Sequence, residues 1–376
     1  MTTLSHNDIK GQVPNQASDL FFSFVDSHDG LNHEASIPAS DLCFSSLAGE
    51  MGHGVERGGT QLVSRFAPSP TGRMHAGNIF ASLVTWLLAH KCGGSVVLRI
   101  EDLDRDRSKQ HFIDLAMSDY EMLGFTWDDG PYFQRDRDAF YERSYELLNE
   151  RGLVYPCFCT RADLHAISAP HLGQMAVYPG YCRNLTPDEI AQKTNEAFKA
   201  GRLGPSYRIR VPHSGDALDK QDFFDVFQGN CSFSLAADSG DFVIRRSDLA
   251  FAYQLAVVLD DADQGVTLVT RGIDLLDSVP RQRYLQSLLG LHHPLYAHIP
   301  LLVAPDGRRL AKRNHDAGVD ALMDRFKTPE GILGHIAGIT GISSTCEPQS
   351  LEELLEKFDP DDLRHQWQGR ISIPWR

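Results

Sequence analysis

Arg65-Phe-Ala-Pro-Ser-Pro-Thr-Gly-Arg-Met-His-Ala-Gly-Asn78 is the stretch that decides how this chain is read. Val63 and Phe66 open a short apolar run, two prolines and two glycines make a tight loop, and residues 79–90 read as an apolar-rich helix. A strand, a loop and a helix N-terminus in this order aim backbone N–H groups and the positive end of a helix dipole at one point, where a phosphate is commonly held. The glycines remove side chains where a ligand would approach closely. His75 stands just ahead of the helix and can offer an imidazole N–H to a charged oxygen. Alone, the same pattern also fits a plain turn between two core elements.

Working outward, Ser95-Val-Val-Leu-Arg-Ile100 is a β-branched run of strand type that ends in Glu101-Asp-Leu-Asp104. An acidic strand end beside such a loop is the usual edge of an α/β ligand crevice, and Glu101 could hold a substrate ammonium. The bland alternative is a surface turn. Phe251 to Asp261 is an apolar run with a carboxylate end, in which Tyr253 could equally be a core aromatic. Residues 265–271 form a strand that ends in Arg271, whose guanidinium fork suits a ligand carboxylate. Farther on, Ala304-Pro-Asp-Gly-Arg-Arg-Leu-Ala-Lys-Arg313 is a turn opening into a basic loop. Four cations in six residues beside a glycine turn suit polyphosphate, although most such clusters are solvated faces.

Cys157-Phe-Cys159 is followed by Tyr178-Pro-Gly-Tyr-Cys-Arg183. Two thiolates one residue apart and a third 23 positions on can converge on one tetrahedral ion, the alternative being three packed thiols. Cys43, Cys92, Cys231 and Cys346 lack such company and read as packing residues. Arg208 and Arg210 alternate with apolar neighbours, so they share a sheet face that meets either solvent or a nucleic acid. Residues 279–289 read as a helix with Arg281 and Arg283 exposed.

Apolar content of 42% and charged content of 23% are ordinary for a globular protein. No apolar run is long enough to span a bilayer, no signal peptide is evident, and seven cysteines do not make a secreted disulfide framework. A reducing cytoplasm is expected. The net charge of −14 argues against a general nucleic-acid coat protein but leaves local patches open. Residues 1–60 hold −6 of it and read as a flexible acidic extension.

Taken together, His75-Ala-Gly-Asn78 and Arg309-Leu-Ala-Lys-Arg313 resemble the two signatures of class I aminoacyl-tRNA synthetases, usually written HIGH and KMSKS. The stretches 65–72 and 101–104 are similar to the glutamyl branch of that family. The resemblance implies an α/β fold: a Rossmann-type parallel-sheet nucleotide-binding catalytic domain with an inserted zinc-containing, acceptor-like subdomain. The halves of the catalytic domain would be residues 61–155 and 249–341, the insertion 156–248, and 342–376 a C-terminal tail without an anticodon-binding domain. His75, Gly77, Asn78 and Lys312 would bind ATP, with His75, Asn78 and Lys312 catalytic. Arg65, Ser69, Glu101, Tyr253 and Arg271 would surround glutamate. Cys157, Cys159, Tyr178 and Cys182 would hold Zn²⁺, with Tyr181 or water as the fallback fourth ligand, and Mg²⁺ would come with ATP. Asn78 and Arg309 replace the family's His and Lys, each keeping a hydrogen-bond donor.

Only 63 residues follow Arg313, fewer than a helical anticodon-binding region needs. That brevity, with the runs 253–261 and 271–278, resembles the truncated glutamyl-Q tRNA(Asp) synthetase branch. The implied activity is activation of glutamate without tRNA and its transfer to queuosine in the anticodon loop of tRNA(Asp), by a monomer. The alternatives are a truncated synthetase charging the 3′ end of tRNA(Glu), and a non-catalytic zinc-containing tRNA-binding protein.

Overall fold

The computed structural model describes residues 62–160, 162–164, 177–308, 310 and 318–375. The acidic segment 1–60 and most of the basic loop, including Arg309, Lys312 and Arg313, lie outside the described residues.

The opening stretch folds as strand β1 (Val63–Phe66), a loop, and helix α1 (Ala76–Lys91). Strand β2 (Ser95–Ile100) runs parallel to β1, and β3 (Asp129–Phe133) runs parallel to β2. Helix α2 (Gln110–Met122) connects β2 to β3, and α3 (Asp138–Glu150) follows. β2 is buried on both faces, as its unbroken apolar run requires of a strand between helical layers.

The chain then builds a separate antiparallel sheet in the order β4 (Val154–Cys157), β5 (Ser206–Ile209) and β8 (Phe242–Arg245), with α4 (Pro187–Lys199) beside it in sequence. Strands β6 (Lys220–Asp225) and β7 (Gly229–Ser234), although they fall within the expected insertion 156–248, join a different sheet. That sheet has the order β7-β6-β10-β9, with β9 (Leu268–Gly272) and β10 (Leu295–Ile299) parallel. Phe223 packs on Tyr296 and Val279, which anchors β6 against β10.

β1 and β9 lie side by side. Thr267 N donates to Val63 O at 2.8 Å, Val63 N donates to Thr267 Oγ1 at 2.8 Å, and Ser64 Oγ reaches Leu268 O at 3.0 Å. The parallel strands therefore read β3-β2-β1-β9-β10-β6, and the order turns around between β1 and β9. Ligands of such sheets bind outside the carboxyl ends of the strands at that reversal.

Helix α5 (Tyr253–Asp263) precedes β9, and α6 (Val279–Leu289) crosses from β9 to β10. Beyond β11 (Leu301–Val303) come α7 (Val319–Phe326), α8 (Pro329–Thr340), α9 (Leu351–Lys357), α10 (Pro360–Trp367) and β12 (Ser372–Pro374). The segment expected as a tail is core: β12 pairs in parallel with β11. Trp367 is fully buried against Phe80 and Phe227 and donates its indole N–H to Thr340 O at 2.9 Å. No helix among the described residues is long and apolar enough to cross a membrane.

Candidate active site

A cavity of about 400 Å³ opens at the β1–β9 reversal. Arg65, Ser69, Glu101, Tyr253 and Arg271, the five residues expected around an amino acid, all line it, together with Asn78 and Thr270. His75 and Gly77 do not line it, but they sit at the start of α1 between two lining residues, Met74 and Asn78. Lys312 lies outside the described residues, and the neighbouring Arg308 is exposed and paired with Asp306.

The loop is held by its own chemistry. His75 is the N-cap of α1: Gly77 N donates to its Nδ1 at 3.1 Å, while Asn78 Oδ1 accepts from His75 N at 3.2 Å. The two outer residues of the signature thus form a capping box. Because Nδ1 accepts, the proton of a neutral imidazole resides on Nε2. A Cβ at Gly77 would sit 3.0 Å from the His75 ring, so this glycine makes room for the cap. Arg73 makes two hydrogen bonds to Asp119, which also accepts from Met74 N, fixing the loop to α2.

Beneath the cavity lies a layer of buried charge. Asp261 accepts from Arg99 at 2.7 Å and from Arg65 at 3.2 Å. Asp260 accepts from Arg137 at 2.7 Å, from Gln134 and from the Tyr141 hydroxyl. Burial opposes ionisation of Arg99, but Asp261, Asp260 and Glu101 together raise its pKa above the usual arginine value. Burial also opposes ionisation of Asp261, yet Arg99 and Arg65 hold its carboxyl below the usual range. Burial pushes the Glu101 carboxyl upward against the pull of Arg99 at 3.3 Å.

Arg271 differs from Arg65 and Arg99. It is 6% exposed, and its hydrogen-bond partners are His298 Nε2 at 3.0 Å, the Tyr253 hydroxyl at 3.3 Å and Leu275 O at 3.2 Å. None of these is a carboxylate. His298 in turn contacts Asp225 through Nδ1 at 2.6 Å. Thr270 Oγ1 is buried without a hydrogen-bond partner among the described residues. A cavity with a buried cation that has no carboxylate hydrogen-bond partner among the described residues, an acid just after β2 and a helix N-terminus nearby is equipped for a zwitterionic ligand with an additional negative group.

The cysteines converge as well. The sulfurs of Cys157, Cys159 and Cys182 lie within 4.8 Å of one another, with Cys159 to Cys182 at 3.8 Å. The Tyr178 hydroxyl is 3.5 Å from Cys157 Sγ and 3.6 Å from Cys159 Sγ. A tetrahedral ion with arms of about 2.3 Å to sulfur and about 2.0 Å to oxygen has S–S edges of about 3.8 Å and S–O edges of about 3.5 Å. The Cys159–Cys182, Tyr178–Cys157 and Tyr178–Cys159 edges therefore match one metal ion in size. Tyr181, the alternative phenol, is 60% exposed. Hydrogen bonds from Cys182 and Tyr178, with the Arg208 guanidinium, lower the pKa of Cys157, the thiol at the centre of the group.

Sequence and structure comparisons fit this picture. The family described as tRNA synthetases class I (E and Q), catalytic domain, matches residues 61–359. The chain belongs to this family. As a class I synthetase it is an enzyme, a ligase. It is 43% identical over 309 residues to a protein of Symbiobacterium thermophilum named glutamyl-Q tRNA(Asp) synthetase, covering 79% of this chain and 92% of that one. A protein of the same name from Nitratidesulfovibrio vulgaris is 42% identical, with 77% and 90% covered. Glutamate–tRNA ligase 1 of Halorhodospira halophila is 38% identical, but the match covers 66% of its length. The glutamate tRNA ligase structure from Elizabethkingia meningosepticum superposes with a TM-score of 0.67 at 24% identity, covering 84% of this chain and 67% of that one, a likeness of fold.

Some features of this synthetase differ from the sequence reading. Arg208 meets neither solvent nor nucleic acid: it is buried, donates to Cys157 Sγ at 3.2 Å and stacks over the Tyr178 ring. Arg281, expected on an exposed helix face, is buried and donates to Ser239 Oγ at 2.7 Å. Cys92 packs against the core as expected, Cys346 is exposed, and Cys43 lies outside the described residues. Asp225, His298 and Thr270 carry no signal in the sequence that marks them as part of the site.

Replacing Asp261 with alanine leaves two buried guanidiniums short of their shared anion. Removing one partner of a buried pair costs about 3–5 kcal/mol, and chemical denaturation of Asp261→Ala should show a loss of that size. A loss below about 1 kcal/mol would mean that Asp260 and Glu101 neutralise both arginines unaided.

Proposed function

We propose that this enzyme activates glutamate with ATP, without tRNA, and transfers the glutamyl group to queuosine in the anticodon loop of tRNA(Asp). The observation that carries the glutamate reading is Arg271, a buried cation on the cavity wall whose hydrogen-bond partners among the described residues are all neutral. A glutamate side-chain carboxylate supplies the missing anion. Arg65 and Ser69 would flank the substrate, Tyr253 would close one side, and Glu101 would accept the ammonium.

In the activation step an oxygen of the α-carboxylate attacks the α-phosphorus of ATP, the bond to the bridging oxygen breaks, and pyrophosphate leaves. Positioning and charge stabilisation supply the catalysis. His75 Nε2–H, Gly77 and Asn78 at the start of α1 would serve the nucleotide, and Lys312 would neutralise the leaving pyrophosphate. Mg²⁺ would arrive with ATP, held mainly by phosphate oxygens. We assign zinc to Cys157, Cys159, Tyr178 and Cys182, because sulfur-rich tetrahedral sites select it. By the same reading, residues 61–155 and 249–341 are the two halves of the catalytic domain, and 156–248, apart from β6 and β7, is the zinc-bearing insertion. Support for the queuosine acceptor comes from the two relatives of that name, over 90% and 92% of whose length the match extends.

The acceptor is tested with tRNA(Asp) that carries or lacks queuosine, with and without its 3′-terminal adenosine. Labelled glutamate should be incorporated only with queuosine and should persist after the adenosine is removed. Loss of incorporation on removing the adenosine, or efficient charging of unmodified tRNA(Glu), points instead to a synthetase acting on the tRNA 3′ end. Elemental analysis of protein prepared without chelators or a metal-affinity tag should find about one zinc per chain, lost when Cys157 and Cys159 are both changed to serine. Metal-free wild-type protein would remove zinc from the account.

A further inference from the structure

Arg271 has five N–H donors, as every guanidinium does. One each is committed to His298 Nε2, the Tyr253 hydroxyl and Leu275 O. Among the described residues nothing takes the other two, one on each terminal nitrogen, which is the number a carboxylate takes in a two-point contact. That outcome depends on His298 Nε2 being an acceptor. With the proton on Nε2 instead, two donors would face each other across 3.0 Å.

Asp225 determines which nitrogen carries the proton. Its Oδ1 faces three backbone donors, Phe227 N and Gln228 N at 3.0 Å and His298 N at 3.2 Å. Its Oδ2 faces His298 Nδ1 at 2.6 Å and shares the His298 backbone N–H, also at 3.2 Å. A carboxylate only accepts, so Nδ1 carries the proton and Nε2 is bare. Both partners of this contact are fully buried, which excludes water as a competing acceptor. Burial also lowers the pKa of His298, keeping the ring neutral.

We propose that Asp225 and His298 are positioning residues that set the rotation of the Arg271 guanidinium for the substrate carboxylate. The inference rests on the reading of Arg271 as the glutamate contact. It also gives β6 a reason to leave the β4-β5-β8 sheet: the strand delivers Asp225 to His298 on β10.

Asp225→Asn separates this role from simple packing. Phe227 N and Gln228 N, which meet only Oδ1, require the new amide oxygen to keep that place, so the amide nitrogen faces His298 Nδ1. It donates there, the ring proton moves to Nε2, and Arg271 Nε loses its acceptor. Loss of one hydrogen bond to a charged group predicts a rise in KM for glutamate of at least ~10-fold in ATP–pyrophosphate exchange, with KM for ATP changed by less than about twofold. His298→Gln, whose amide oxygen can occupy the Nε2 place, should keep KM for glutamate within about threefold of wild type.

A second measurement needs no substrate and no variant. The imidazole ¹⁵N spectrum of the wild-type protein should show His298 protonated on Nδ1 and bare on Nε2. An unchanged KM for glutamate in Asp225→Asn, a His298→Gln defect as large as that of Asp225→Asn, or a His298 spectrum with the proton on Nε2 would overturn the proposal. If wild-type protein fails to exchange pyrophosphate with glutamate, the substrate reading fails, and the ¹⁵N spectrum still decides the hydrogen-bond relay.

Discussion

Two adjacent carboxylates near the end of α5, Asp260 and Asp261, hold the catalytic domain together. They accept from Arg65 on β1, Arg99 on β2 and Arg137 at the start of α3. Strands from the first half of the chain are thereby fastened to the helix that precedes β9 in the second. Such buried charges are tolerable only when each is matched, and here the carboxylates of Asp260, Asp261, Glu101 and Asp263 face three guanidiniums. The arrangement also has a functional consequence. Arg65 lines the cavity with an anionic hydrogen-bond partner, whereas the hydrogen-bond partners of Arg271 among the described residues are neutral. Arg271 therefore keeps N–H groups for a ligand carboxylate at a defined place.

Much of this was legible in the sequence because it depends on local pattern. The strand–loop–helix of residues 63–91 follows from an apolar run, turn residues and a helical apolar period. Of the five cavity residues, Glu101 and Arg271 were identifiable as charges at strand ends, whereas Arg65, Ser69 and Tyr253 came only with the family resemblance. Asp260 and Asp261 stood out only as a carboxylate end. Their role depends on arginines more than 120 positions away.

The rest depends on contacts that no spacing encodes. Asp225 and His298 are 73 positions apart, each inside an ordinary strand, and only the parallel pairing of β6 with β10 brings them together. For the same reason the boundaries of the insertion were not legible: the alternating pattern of β6 fits an antiparallel sheet as well as the strand it becomes. Arg208 and Arg281 were read as exposed because arginine usually is, yet one finds a thiolate and a phenol ring and the other a serine. Spacing alone leaves Tyr178 and Tyr181 both within reach, and only the family resemblance put Tyr178 first. Packing alone turns Tyr178 to the sulfurs and Tyr181 to solvent.

The central claim is that Arg271 makes this cavity selective for a ligand carboxylate. It is tested most directly by titrating the wild-type protein, in a calorimeter, with two non-hydrolysable aminoacyl-adenylate analogues that differ only in carrying a glutamyl or a glutaminyl side chain. The account predicts that the glutamyl analogue binds at least ~10-fold more tightly, because only its carboxylate completes the charge-assisted contact with the two remaining N–H groups of Arg271. Equal affinities for the two analogues would contradict it.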